Sequence, residues 1–331
     1  MQTAQDTSSA PLILGFDIFP GGKVSALSWA NIKTSTAPAE GVRRWIHLNR
    51  LSEDAQKWLG EHSGLDPIAA RILTQDDSRP RAFAHANGIL MNLRGVNVND
   101  GEDPEDLVSL RIWVTETLIV TTRAFKIKAV EDMAQRLQSG DAPASNGSLV
   151  VSLAEALTRR LDPLVGTLDD QMSELEDDFL DEETPAPKLA LANFRRKALT
   201  LRRYIVPQRE AVTDFIRAGD KLLTDKCRLR LREVQDTVTR LSEDLDTIRE
   251  RAIVVQEQII EQRSEVMNQR LFVLAIISAI FLPLGFLTGL FGINVGGMPG
   301  TSSPHAFWIF AGFLTLVTVG LLLLFKRMKW M

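Results

Sequence analysis

The chain has 331 residues, 45% of them hydrophobic and 24% charged, with a formal net charge of -4. That balance gives no whole-chain case for nucleic-acid binding. A single cysteine, Cys227, excludes disulfide frameworks and cysteine-rich metal clusters within one chain, and places most of the chain in a reducing compartment.

The first segment, MQTAQDTSSAPLILGF, has no basic n-region and no long apolar stretch, so it does not read as a signal peptide. From residue 12 to 150 strand-like and helix-like pieces alternate. RRWIHLN (Arg43 to Asn49), ILMNLRGVNV (Ile89 to Val98) and LVSLRIWVTETLIVTTR (Leu107 to Arg123) are rich in β-branched and aromatic residues. The last contains a polar turn at Thr115-Glu116-Thr117, which predicts a hairpin. SEDAQKWLGEHSG opens with the N-cap type Ser52 and closes at Gly64, as a short helix does. DPIAARILTQ reads likewise, with Pro67 in the first turn. Residues 1–148 are therefore expected to form an α/β domain, closed by a linker or loop at QSGDAPASNGS (Gln138 to Ser148).

Beyond that loop the pattern is helical. Leu153, Leu157, Leu161, Leu164, Leu168, Met172, Leu175 and Phe179 recur at helical spacing until Pro185 and Pro187 interrupt. A second helix follows through Phe194, Leu201 and Ile205, with a kink expected at Pro207. These two helices account for residues 149–221. The third is the most regular part of the chain. Leu231, Val234, Val238, Leu241, Leu245, Ile248, Ala252, Val255, Ile259, Gln262 and Val266 step by three and four without a slip, a heptad seam. No proline or glycine separates this seam from the apolar run after it, so one helix is predicted from about 222 to about 290, on the order of 100 Å long. Residues 222–270 form its polar stalk. The seam is expected to need copies of the chain, in addition to the two preceding helices, to cover it, and a symmetric oligomer follows.

Charge is segregated along these helices. Asp169, Asp170, Glu174, Glu176, Asp177, Asp178, Asp181, Glu182 and Glu183 crowd the end of the first helix, whereas Arg195 to Arg232 holds 12 basic against 4 acidic residues. Complementary pairing between neighbouring helices is the plain structural reading. The functional reading is a set of cation-attracting acids near a pore mouth. The basic stretch lacks interleaved aromatics beyond Tyr204, so it makes a weak nucleic-acid surface.

Two uncharged runs close the chain, residues 271–291 (LFVLAIISAIFLPLGFLTGLF) and 306–325 (AFWIFAGFLTLVTVGLLLLF). As helices each spans roughly 30 Å, one hydrocarbon core. Arg263 and Arg270 precede the first run, and Lys326, Arg327 and Lys329 follow the second. The connecting loop, 292–305, has neither Lys nor Arg. The positive-inside rule then places both termini in the cytoplasm, the loop outside, and a basic cytoplasmic tail at 326–331. Trp308 and Trp330 lie near the two ends of the second run, at interfacial positions. Two helices buried in a soluble core fit these lengths and flanks poorly.

No catalytic set is present, and the chain does not read as an enzyme. His47, His62, His85 and His305 stand alone, with no HxxxH or HExxH pattern. The glycine pairs Gly21-Gly22 and Gly296-Gly297 lack the P-loop lysine pattern, so any transport is expected to run down a gradient and not on ATP. No bound cofactor is expected. The turn Gly292-Ile293-Asn294 is the distinctive element. Non-helical backbone beside a membrane is tolerated where it lines an aqueous path. A ring of Asn294 carboxamides can dock a hydrated cation without holding it tightly. Helical steps back from Asn294 place Gly285, Leu282, Ser278, Leu274 and Leu271 on one face of the first span, the expected pore lining.

FLPLGFLTGLFGINVGGMPG, before a final span and a basic tail ending in KW, resembles the 2-TM-GxN superfamily of CorA-type metal ion transporters. The magnesium branch usually carries Tyr-Gly-Met-Asn. Phe291-Gly292-Ile293-Asn294 followed by Val-Gly-Gly is more similar to the ZntB branch of zinc transporters. WIHLN, SRPR (Ser78 to Arg81), LIVTTR (Leu118 to Arg123) and LRRYIVPQR (Leu201 to Arg209) extend the resemblance over nearly the whole chain. The resemblance implies a funnel-shaped homopentamer in a bacterial inner membrane: a cytoplasmic α/β domain, two helices beside a stalk, and a stalk helix running on into a central pore. It implies Zn²⁺ as the transported ion and partner of the pore, with a CorA-type Mg²⁺, Co²⁺ or Ni²⁺ channel as the alternative. A membrane-anchored sensor or scaffold without transport is the reading from another class.

Overall fold

The computed structural model describes residues 10–76, 79–180, 188–293, 300 and 303–328. Ser78, Pro185, Pro187, Asn294, Lys329 and Trp330 lie outside the described residues, as do Asp181, Glu182 and Glu183. The chain divides into two compact units, Met1–Gln256 and Glu257–Met331.

The first unit is built on a seven-stranded sheet of order β2-β1-β3-β7-β6-β5-β4. The strands are β1 (Leu12–Ile18), β2 (Val24–Ala26), β3 (Arg43–Asn49), β4 (Arg81–His85), β5 (Gly88–Gly95), β6 (Val108–Val114) and β7 (Leu118–Arg123). Only β3 and β7 run parallel, with Trp45 opposite Ile119; the other neighbours are antiparallel. The expected hairpin is present. Thr115 closes it twice, accepting the Leu118 N–H on its Oγ1 at 3.0 Å while its own N–H donates to the Leu118 carbonyl at 2.8 Å.

Both predicted short helices form as α2 (Glu53–Glu61) and α3 (Pro67–Thr74). Asp66 caps α3 through the Ile68 N–H at 2.8 Å, which with Pro67 explains why this helix starts where it does. Ser52 is the N-cap residue of α2 but makes no side-chain cap bond. Their apolar faces close one core with the sheet around Trp58, Trp113, Ile46, Leu48 and Leu73. β1, β2 and α1 (Trp29–Thr34) precede the predicted pieces, and β4 and α4 (Lys128–Gln138) lie between them.

The 138–148 stretch is not a free linker. α5 (Asn146–Leu180) already begins inside it. Asn146 Nδ2 donates to the Thr115 carbonyl at 3.0 Å and Arg43 Nη2 to the Pro143 carbonyl at 2.7 Å, so its middle and its second half are tied to the sheet domain. A Cβ on Gly147 would lie 2.1 Å from the Leu222 carbonyl oxygen. A close approach of this kind requires glycine there.

The helices that follow are α6 (Lys188–Ala218), α7 (Asp225–Phe291) and α8 (Ala306–Arg327). α7 confirms one helix running from the polar seam into the apolar run. α6 continues past Pro207 to Ala218. It docks on β5 through the LRRYIVPQR segment: the Gln208 side-chain oxygen accepts the Arg94 N–H at 2.7 Å, and the Arg94 guanidinium lies 4.2 Å from the Tyr204 ring centre. α5 approaches β5 so closely that a Cβ on Gly95 would meet Leu157 Cδ2 at 2.5 Å.

The seam on α7 is covered differently from the sequence expectation. Leu231, Val234, Val238, Leu241, Leu245, Ile248, Ala252 and Val255 are all buried within the protomer. Side-chain bonds from α7 reach α5 on one edge, Arg230 to Glu155, and α6 on the other, Arg202 to Asp246. The two preceding helices thus cover this stretch without a second copy. Val266, at the far end of the seam, is exposed.

Candidate ion path

In the second unit, α7 from Leu271 onward and α8 are long and apolar enough to cross a membrane. No residue from Leu271 to Ile293 is ionisable. The threonine hydroxyls in these helices are turned back onto their own backbones: Thr288 to the Gly285 carbonyl at 3.1 Å, Thr315 to Ala311 at 2.9 Å, Thr318 to Leu314 at 2.8 Å. Such internal satisfaction is what an apolar solvent demands. Pro283 sits inside α7 and brings no N–H to the helix ladder.

α7 and α8 meet along one side. The Phe291 and Phe310 rings are 4.7 Å apart. On α7 the half-buried residues Ile276, Ala279, Ile280, Pro283, Leu284 and Leu287 recur at helical spacing. On α8 the matching stripe is Phe310, Ala311, Leu314, Val317, Thr318 and Leu321. Leu271, Leu274, Ser278, Leu282 and Gly285 lie on the other side of α7, about half a turn away at 3.6 residues per turn, and all five are exposed. Leu274 is 59% and Leu282 74% exposed. Nothing lies within 4 Å of where a Cβ on Gly285 would be.

Gly292 ends the span. Its N–H donates to the Gly289 carbonyl at 3.2 Å. A Cβ there would come within 2.9 Å of the Thr288 carbonyl oxygen, closer than side chains are tolerated. Glycine lets the chain leave the helix at this point. Ile293 is exposed, and Asn294 follows outside the described residues.

In the first unit, charge pairing ties α5 to α7. Glu155, Asp162, Asp169 and Glu176 repeat every seven residues along α5. Arg230 takes Glu155 (2.6 Å), Arg240 takes Asp162 (2.6 Å), and Arg251 takes Asp169 (2.5 Å) and Glu176, the latter through Nε at 2.9 Å. The hydrogen bond from Arg251 holds the Glu176 carboxyl below the usual carboxylate range, and these carboxylates raise the three guanidinium pKa values. Two of the acids expected to attract cations, Asp169 and Glu176, are therefore committed to Arg251. Asp170, Glu174, Asp177 and Asp178 are exposed and make no ion pair among the described residues. Three further acids were not singled out in the sequence: Asp236, Glu243 and Glu250, exposed on α7 on the side away from its buried seam. Their seven-residue spacing was the available signal.

The histidines are structural or exposed. His47 is fully buried, with Nδ1 2.7 Å from Thr121 Oγ1; burial, then Arg123, holds its pKa well below that of free histidine, so it is neutral. His85 Nε2 lies 2.7 Å from Asp66 Oδ1. Among the described residues, no group of three or more His, Cys, Asp or Glu side chains could hold a metal ion.

A family model described as CorA-like Mg2+ transporter protein matches residues 40–327, from just before β3 to the end of α8. This chain belongs to that family. The resemblance read from the GIN turn and its flanks is thereby confirmed. The family member is 34% identical over 289 residues to the zinc transport protein ZntB of Pectobacterium carotovorum, covering 87% of this chain and 88% of the relative. It is 36% identical over 289 residues to the divalent cation transporter CmaX of Pseudomonas aeruginosa, covering 87% of each. Among solved structures, the full-length CmaX protein matches with a TM-score of 0.82 at 33% identity, over 97% of this chain and 99% of that one. The CorA magnesium transporter of Methanocaldococcus jannaschii shares the fold, with a TM-score of 0.77 at 18% identity over 96% of this chain and 99% of that one.

Proposed function

We propose that this CorA-family chain is a transporter of divalent metal cations, with Zn²⁺ as its cargo, working as a homopentamer in a bacterial inner membrane. The observation that carries this reading is the arrangement of α7 at its apolar end. One stripe packs on α8, and the stripe from Leu271 to Gly285 is left uncovered on the other side, leading to the Gly292-Ile293-Asn294 turn. Around a symmetry axis, that uncovered stripe lines a pore whose leucines can gate it by dewetting. Asn294 carboxamides form the entrance. Residues 1–148 supply the cytoplasmic α/β domain, 149–221 the two helices beside the stalk, 222–270 the stalk, 271–291 and 306–325 the spans, and 292–305 the outer loop. Both termini are cytoplasmic in this arrangement. The exposed acids of α7, Asp236, Glu243 and Glu250, raise the local cation concentration by screened electrostatics.

Zinc rests on the ZntB relative and on isoleucine in place of methionine at position 293. Its usual ligands are histidine nitrogen and cysteine sulfur, and the proposed pore face offers neither. The ion therefore passes with its water shell, held by neutral oxygens and released readily. No phosphate-binding loop supports an ATP-driven step, so the ion follows a gradient. The family description names Mg²⁺, so the deciding experiment compares cargoes. Purified protein in liposomes is assayed for Zn²⁺ and Mg²⁺ uptake, with and without a pH gradient. Zn²⁺ uptake exceeding Mg²⁺, and lost in Asn294→Leu, supports the proposal. Mg²⁺ uptake alone would move the chain to the magnesium branch, and no flux of either ion would favour a membrane-anchored scaffold.

A further inference from the structure

The first unit leaves two charged faces of opposite sign unmatched. α5 carries eight acidic and two basic residues, and α6 eight basic and two acidic. Opposite charge on adjacent helices favours pairing between them. Among the described residues no ion pair joins α5 to α6. At this level their bonded charges go instead to α7, Arg251 with Asp169 and Glu176 on one edge, Arg202 with Asp246 and Arg195 with Gln256 on the other, while Arg160 of α5 pairs with Asp132 and Lys197 of α6 with Glu105. What remains is an acidic outer face on α5, Asp170, Glu174, Asp177 and Asp178, and a stripe on α6 made of Leu189, Ala192, Arg196, Leu199, Arg203 and Val206.

The α6 stripe follows three- and four-residue steps, the pattern of a helix seam that has a partner. Leu189 is 77% and Leu199 52% exposed, so nothing among the described residues covers it. Shallow cavities of about 460 Å³ and 440 Å³ lie along it, walled by Arg196, Leu199, Arg203 and Val206. Arg203 leans on the Tyr204 ring and hydroxyl, and neither it nor Arg196 has a carboxylate partner among the described residues.

The level of the two faces matters as much as their sign. The α5 acids flank α7 at Arg251. The α6 arginines flank it between Asp246 and Gln256. Both faces therefore sit at the same height along α7. A head-to-tail contact in a closed ring joins different patches of neighbouring subunits, and those patches must lie at one height along the axis. Matched height and opposite charge satisfy that condition.

We infer that the Arg196–Leu199–Arg203 stripe of α6 docks on the acidic outer face of α5 in a second copy of the chain, repeating around the ring. This rests on the oligomeric reading above and specifies its contact. The four acids are then occupied by the neighbour's arginines, which leaves the field that attracts the permeating ion to the α7 acids. The contact is screened by salt.

The test uses the full chain in detergent. Glu174→Cys and Leu199→Cys are made singly and together, and oxidised before denaturing electrophoresis. The double variant is expected to give a ladder of covalent multimers, and each single variant only protomer. The ladder should fade several-fold when oxidation follows transfer to high salt or in an added Arg196→Glu/Arg203→Glu background. Adding Asp170→Arg and Asp177→Arg to that background should restore it. Light scattering on the same samples separates the two readings. An oligomer without a ladder overturns this contact and leaves the oligomer standing. A monomeric particle overturns both.

Discussion

Two stretches of one helix, α7, meet opposite fates. From Leu231 to Val255 its apolar seam is buried inside the protomer. From Leu271 to Gly285 an equally regular apolar stripe is left bare. Periodicity is the same in both, so periodicity alone does not say what covers a face. The difference lies in the flanks. Beside the seam stand Arg230, Arg240 and Arg251, each with a carboxylate waiting on α5. Those pairs fix which helix lies alongside. Along α7 beyond Leu271 no charged residue remains, one side goes to α8, and the other is open to lipid, water or further copies.

The most severe way to break this comparison is to charge the covered seam. Leu241→Asp with Leu245→Asp puts two carboxylates into a core the chain closes by itself, at a cost of several kcal/mol. The expected outcome is loss of folding of the first unit, read as loss of the cooperative thermal transition. A well-folded monomer would instead show that the seam belongs to an interface between copies.

Changes at the turn should act on flux with the fold retained. Asn294→Leu keeps similar bulk and removes the carboxamide oxygen, so zinc uptake should fall to the background of empty liposomes while the oligomer persists. Gly292→Val should fail as well, because its Cβ meets the Thr288 carbonyl. Wild-type uptake by Asn294→Leu would reduce the turn to a connector.

Accessibility sharpens the same contrast on a smaller scale. In a Cys227→Ser background, cysteines at 274, 278 and 282 should react with water-soluble thiol reagents. Cysteines at 276 and 280, on the stripe packed against α8, should react at least about tenfold more slowly. The reverse pattern would place the pore on the α8 side.

Electrostatic changes come last. Replacing Asp236, Glu243 and Glu250 with their amides should lower flux more at low ionic strength than at high, as the screening length shrinks from ~30 Å at 0.01 M to ~10 Å at 0.1 M. Equal effects at both would make these acids structural. Arg251→Gln should cost about 1 kcal/mol or less, because its pairs are partly exposed. The sign with pH follows from the lowered Glu176 pKa. A carboxyl whose folded pKa is depressed contributes stability above its unfolded value, ~4.3, and loses it as pH falls through the folded value. Wild type should therefore lose more stability than Arg251→Gln on acidification below about pH 4.3.

Much of this protein is written locally. The Thr115 turn, the Asp66-Pro67 helix start, the unbroken helix into the membrane run and the apolar hairpin were legible, because each depends on neighbours a few residues away. Short elements such as β4 and α4 were harder to read, since their few apolar residues gain meaning only against a sheet assembled from distant strands. The family followed from the GIN turn and its flanks. Only the tertiary structure decided that α5 and α6 cover the α7 seam, that Asp169 and Glu176 belong to Arg251, and which side of α7 meets α8. Those outcomes depend on which of several compatible apolar and charged faces pack together, and that competition is settled by geometry across the whole fold.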